Sequence, residues 1–226
     1  MCSSDLPVCS AGVSRALEDY TLNELEDQVA SWGFARGHGG RWLRRHYSGG
    51  SRTENAALLP PAGLRRLLVG LPSPATVQRR QVAADGTVKL LLGLHDGRAV
   101  ESVLMPDHDP NRAAGCLSSQ AGCAMGCDFC ATGKGGFERN LSAGEIVAQF
   151  IALRREALAQ GRRLCTVVFM GMGEPMHNLD AVLAAIERIA DNQLGGLGWR
   201  QITVSTVGII AGIDRLAMSE IGRAHV

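Results

Sequence analysis

The residues best suited to chemistry lie in "CLSSQAGCAMGCDFCATGKGG", from Cys116 to Gly136. Four of the chain's seven cysteines fall in it, and Cys123, Cys127 and Cys130 are spaced C-x-x-x-C-x-x-C. Thiolates grouped in this way serve zinc or iron. A structural zinc site is closed by four ligands, usually from C-x-x-C knuckles at two places in the chain. Three thiolates on one compact loop suit an iron–sulfur cube whose fourth iron stays open to a small molecule, and Gly122, Gly126 and "GKGG" allow such a loop to wrap a bulky group. Cys116 could instead close a four-cysteine zinc site, so spacing alone leaves both metals open.

Three further stretches carry candidate polar groups. "GMGEP" follows the apolar run "CTVVFM" and supplies Gly173 and Glu174. An acid at a strand's end can receive a cationic amino group, although such a turn alone is also an ordinary strand-to-helix connection. Ser205 ends "ITVS", where an isolated serine is usually only a satisfied hydroxyl. Glu101, in "AVESVLMP", shares a strand face with Val103 and opposes Val100 by alternation, an odd place for a carboxylate unless that face lines a site.

The elements that would position these groups can be read from period and caps. Thr21/Glu24 in "TLNELEDQVASWG" and Ser142/Glu145 before "IVAQFIALRREALAQ" are capping boxes opening helices. "GRWLRRHY" and "PAGLRRLLVGL" read as two more helices, so the first ~80 residues form a small helical module. "TVKLLLGL" and "AVESVLMP" flank "HDGR" as a β-hairpin. A Pro/Asp-rich link, "PDHDPNR", leads to the cysteines. After them "CTVVFMGM", "LDAVLAAIERIADN" and "QITVSTVGI" alternate strand, helix and strand, which implies βαβ units with ligands at the carboxyl ends of parallel strands. Cys165, at the start of its strand, reads as core.

A chain of 226 residues, 46% apolar, can bury a substantial core. Its apolar runs fall far short of the ~18 residues of a spanning helix, and clustered free thiols suit a reducing compartment, so the reading is a cytoplasmic, non-membrane protein. Net charge is only +1. It is unevenly spread, because residues 33–84 hold nine arginines (36, 41, 44, 45, 52, 65, 66, 79 and 80) against the single acid Glu54. Interleaved with Phe34, Trp42 and Tyr47, that block could neutralise phosphates and stack on bases, or be a solvated helical face. The opening "CSSDL" and closing "IGRAHV" resemble translated sequencing adapter, so residues 1–6 and 220–226 are expected to be non-native and the chain to be a fragment.

Together, the C-x-x-x-C-x-x-C loop and "GMGEP" resemble radical S-adenosylmethionine (SAM) enzymes. More narrowly, "DGTVKLLLGLHDGRAVESVLMP", "CLSSQAGCAMGCDFCATG", "FMGMGEPMHN" and "ITVSTVG" resemble the dual-specificity methyltransferases acting on adenine carbon 2 of 23S ribosomal RNA and transfer RNA. The resemblance implies an α/β fold, a partial (βα)6-type radical SAM barrel over residues 116–219. It is preceded by an arginine-rich, RNA-binding helical domain (7–80) and a β-hairpin with its linker (81–115). It implies a [4Fe–4S] cluster on Cys123, Cys127 and Cys130, SAM contacts at Gly173, Glu174 and Ser205, and Glu101 as proton acceptor. Cys116 would resolve a covalent enzyme–RNA intermediate by pairing with a methyl-carrying cysteine, which this chain is expected to lack; the fragment itself would then be inactive in methyl transfer. The implied protein is a monomer served by an electron donor such as flavodoxin. Carbon-8 methylation and a noncatalytic zinc-stabilised RNA-binding module are the alternative readings.

Overall fold

A computed structural model describes residues 15–49 and 59–219; the expected non-native ends, Arg52 and Glu54 lie outside them. Both capping boxes form. Thr21 Oγ1 accepts from Glu24 N at 3.4 Å and Glu24 Oε2 from Thr21 N at 2.7 Å, opening α1 (Leu22–Ser31). α2 (Gly37–Tyr47) crosses it closely: a Cβ on Gly39 would sit 2.9 Å from the Leu25 carbonyl oxygen. A third helix, α3 (Ala62–Gly70), completes the helical module.

Next comes a strand where the sequence suggested the end of that module. β1 (Ala75–Val82) pairs antiparallel with β2 (Val88–Leu94), which pairs with β3 (Ala99–Pro106) as the expected hairpin around residues 95–98. Almost all of β1 is exposed, so "ATVQRRQV" has no apolar alternation to betray it. The Pro/Asp-rich link likewise ends in a strand: β4 (Arg112–Cys116) joins β3 antiparallel and β7 (Arg163–Phe169) parallel. β8 (Ile202–Val204) extends the parallel part, giving one sheet in the order β1-β2-β3-β4-β7-β8. The hairpin is therefore continuous with the partial barrel.

Between β4 and β7 the chain makes a small second sheet, β5 (Gln120–Gly122) with β6 (Phe137–Asn140), around the four-residue helix α4 (Ala131–Lys134). It then enters α5 (Ala143–Ala159), whose cap joins Ser142 and Glu145. α5 packs on β1–β4 and β7, and against α6 (Leu179–Ala190). α7 (Ile210–Met218) follows β8. The helical module docks on the outside of these helices, where Arg154 donates to the Tyr47 carbonyl at 2.9 Å and Arg188 reaches the carbonyls of Glu18 and Asp19.

The helices cover one face of the sheet. Val100, Ser102, Leu104 and Gly115 turn towards α5, where Ser102 meets Gln149 and Gly115 lies close to Leu153. By register, Leu91, Glu101, Val103, Cys116, Val168 and Thr203 share the opposite face. A bulge interrupts β7: Ala113 pairs with Leu164 and Ala114 with Thr166, so Cys165 is skipped. Among the described residues no helix is long and apolar enough to cross a membrane.

Phe150, fully buried on α5, joins helix to sheet in the hydrophobic core. Phe150→Ala is expected to cost about 3–5 kcal/mol, read as a lowered midpoint of urea unfolding.

Candidate functional site

The cysteine loop is tied at its base before its thiols are placed. Cys123 N donates to the Gly136 carbonyl at 2.9 Å, and Gly122, at φ 73°, has room for no side chain: a Cβ there would lie 2.1 Å from that same oxygen. Cys130 N donates to the Cys127 carbonyl at 3.0 Å, turning the loop back on itself. Cys123 is buried, while Cys127 and Cys130 are half-buried. The N–H of Gly133, with the N–H and hydroxyl of Thr132, pulls the Cys130 thiol below its ordinary pKa against the opposing effect of burial. Such N–H donors stabilise thiolate, the form a metal takes.

These three thiols, the ends of β7 and β8, and the exposed ring of Phe129 line one cavity of about 450 Å³. Gly173 and Glu174 enter from β7 and Ser205 from β8. Gly173 has φ 99°, and a Cβ would come within 2.5 Å of the Gln120 side chain. The Glu174 carboxylate is 2% exposed, with Oε1 accepting from Met176 N and Oε2 from Val207 N, each at 2.9 Å. Glu174 enters no ion pair among the described residues, so the cavity wall holds a buried carboxylate met by N–H groups alone. Leaving a buried carboxylate without a cation costs roughly several kcal/mol, a cost that a cationic ligand in the cavity would offset.

The two remaining candidates stand beside the cavity and do not line it. Glu101 is half-exposed and pairs with Lys89 Nζ at 2.9 Å. Cys116 lies on the same sheet face one strand away, opposite Val103, and its thiol is pushed up by burial despite a bond from the Met170 N–H. A four-cysteine zinc site is therefore not assembled. Among the described residues no three Cys, His, Asp or Glu side chains stand close enough to hold a single ion. A cube distributes its thiolates over different irons and needs no convergence on one ion, so the loop suits the cluster better than zinc.

Cys165 is buried on the β7 bulge, towards the amino end of the strand and away from this cavity. A larger cavity, about 690 Å³, opens where Arg15 and Asp19 face His95, Arg139 and Ser142, but no thiol lines it. Sequence reasoning passed over Gln120, whose Oε1 accepts from Glu174 N at 2.9 Å while Nε2 donates to Asn140 Oδ1 at 2.7 Å. It also passed over Asn178, whose amide bridges the carbonyls of Ser119 and Leu141. The polar run "SSQ" between apolar neighbours was the available signal.

Residues 117–225 match the radical SAM superfamily. Over 209 residues the chain is 59% identical to a probable dual-specificity RNA methyltransferase, RlmN 1, of Opitutus terrae, covering 92% of this chain. It is 43% identical over 213 residues to the dual-specificity RNA methyltransferase RlmN of Syntrophobacter fumaroxidans, covering 93% of this chain. The chain spans 59% of the length of each of these relatives. The crystal structure of a radical SAM methyltransferase from Sphaerobacter thermophilus superposes with a TM-score of 0.83 at 40% identity, over 92% of this chain and 62% of that one.

Gly173→Ala combines a left-handed backbone with a steric clash, whereas Gly196, at φ 68°, has open space around its Cβ position. Gly173→Ala is expected to destabilise by about 1–3 kcal/mol, clearly more than Gly196→Ala in parallel urea melts.

Proposed function

We propose that the chain is part of a radical SAM enzyme, of the kind of the dual-specificity RNA methyltransferases it resembles, that methylates carbon 2 of an adenine in 23S ribosomal RNA and transfer RNA. One observation carries the reading: three thiols from a single loop and the Gly173–Glu174 and Ser205 strand ends line the same cavity. Cys123, Cys127 and Cys130 would hold a [4Fe–4S] cluster, which when bound supplies the electron for reductive cleavage of SAM. Glu174 would receive the amino group of SAM and so answer its own unpaired charge. Gly173, lacking a side chain, lets the strand end approach the ligand, and Ser205 adds a hydroxyl contact. Glu101, on the open sheet face, is the proposed proton acceptor, and Cys116, on the same face, the resolving thiol.

The helical module, with the adjoining β1, would bind RNA through arginines that have no acidic partner. Arg36 pairs with Asp27 and Arg80 with Glu156, while Arg44 donates to Gln193. Arg41, Arg65 and Arg66 of the module, with Arg79 on the neighbouring β1, are exposed and enter no ion pair among the described residues, which leaves them for phosphates. An electron donor such as flavodoxin, a cytoplasmic location and a monomeric state complete the proposal.

Anaerobic reconstitution is expected to give a brown protein with about four irons per chain, lost in Cys127→Ala; stoichiometric zinc without visible absorbance would overturn the reading. Carried out on the uninterrupted reading frame, incubation with methyl-labelled SAM and RNA should place label on adenine carbon 2; label on carbon 8 would reassign the reaction. Replacing Arg65, Arg66 and Arg79 by Ala should weaken RNA binding across sequences and flatten the log–log salt slope by roughly 2–3, at about 0.7–0.9 for each phosphate no longer neutralised. An unchanged slope would make this a solvated face.

A further inference from the structure

One buried hydroxyl joins the strand carrying Glu101 to the segment carrying Gly173 and Glu174. Ser118 Oγ donates to the Glu101 carbonyl at 2.6 Å and accepts from the Met172 N–H at 2.8 Å. The Met172 sulfur in turn accepts from the Glu101 N–H at 3.4 Å. Three residues from three separate segments thus close a ring: β3, the turn after β4 and the segment after β7. The Met172 carbonyl also accepts from the N–H groups of Ser119 and Gln120, at 2.8 and 3.2 Å, so the ring cannot slide along the turn. Space is equally restrictive, since a Cβ on Gly171 would lie 2.6 Å from Ser118 Oγ.

Ser118 is itself held from the covered face of the sheet. Gln149, fully buried in the middle of α5, accepts from Ser118 N at 2.8 Å and from Ser102 Oγ at 2.7 Å. Its amide nitrogen donates to the carbonyls of Ser118 and Glu145, at 3.0 and 3.3 Å. All four hydrogen-bonding positions of the amide are therefore used. A helix face buried against a sheet would ordinarily be apolar there. Gln149 instead fixes the residue after Glu101 through Ser102, and Ser118 fixes Glu101 through its carbonyl.

We propose that Ser118 is a positioning residue for methyl transfer, setting the Glu101 carboxylate at a fixed offset from the Met172–Glu174 segment, with Gln149 locking Ser118. The proposal rests on the role given above to Glu101. Without the ring, β3 and the SAM-binding segment are linked only through the remainder of the sheet, and Glu101 is free to follow its exposed partner Lys89. Misplacement of a reacting group by about 1 Å can cost on the order of 100-fold in rate. That loss falls on the step Glu101 serves more than on SAM cleavage, which depends on the cluster loop and Glu174.

The test uses the complete reading frame with its cluster reconstituted, and compares Ser118→Ala, Gln149→Met and Glu101→Gln. Three quantities are followed: iron content, 5′-deoxyadenosine formed from SAM, and methyl delivered to RNA. Ser118→Ala should keep its iron, and transfer should fall at least about tenfold more than cleavage, with Gln149→Met changing the ratio in the same direction by less. If Ser118→Ala does not fold, Gln149→Met, which keeps the helix and its volume, decides. Parallel loss of iron, cleavage and transfer in the soluble variants would make the ring merely structural and overturn the proposal. An unchanged ratio in both, with Glu101→Gln uncoupled, would overturn it while leaving the site reading intact. An unchanged ratio in all three would remove the role of Glu101 and the proposal with it.

Discussion

The site depends first on the parallel pairing of β4 with β7. Cys116 stands opposite Val168, so the segments that leave the two strands start at the same height. The ladder then runs past the strands: Leu117 N donates to the Val168 carbonyl at 2.9 Å, and Gly171 N to the Leu117 carbonyl at 3.0 Å. Only because of this do residues more than forty positions apart in sequence share one cavity wall. In parallel sheets the carboxyl ends of the strands gather at one edge, and here that edge receives the cysteine loop, Gly173, Glu174 and Ser205 together. The antiparallel hairpin adds what a bare βαβ unit lacks, a strand that carries Glu101 along the same face as Cys116.

Two carboxylates of equal burial show how the fold separates structure from function. Glu145 and Glu174 are each 2% exposed. Glu145 is answered by the Arg139 guanidinium, which grips both its oxygens at 2.7 and 2.8 Å and also reaches Asp96 in the hairpin turn. That network holds Asp96 well below the usual carboxylate range, chiefly through Arg139, and clamps the hairpin to β6 and the start of α5. Paired charges of this kind fix geometry and leave nothing to offer a ligand. Glu174, in the cavity wall, accepts from two N–H groups and enters no ion pair among the described residues. One acid stands in the first turn of α5 and the other just past the end of β7, and their partners set them apart: an arginine for Glu145, N–H groups for Glu174.

What could be read in the sequence was local. The capping boxes at Thr21 and Ser142 and the hairpin turn each depend on a few neighbouring residues, and each stands where expected. The strands that escaped notice lack a local signature. β1 is an exposed edge strand rich in arginine and glutamine, and β4 begins inside a Pro/Asp-rich stretch and ends in small residues. Gln149 was invisible for a different reason: a polar residue in a helix is ordinarily solvent-facing, and only the tertiary packing of α5 on the sheet shows that it faces Ser118 in the core.

The cysteines make the same point chemically, because one residue type is given different properties by its surroundings. Cys130 caps a short turn whose N–H groups favour thiolate. Cys116 ends a sheet strand and is pushed towards the neutral thiol by burial. Cys165 sits on a bulge, buried towards the other end of a strand that runs parallel to the one ending at Cys116. Since the thiolate is both the metal ligand and the nucleophile, these environments order Cys130 and Cys116 before any cofactor is considered. Cys130 thus lies nearer the thiolate, and Cys116 nearer the neutral thiol. Cys165, by the direction of the strand that bears it, lies away from the cavity the loop thiols line.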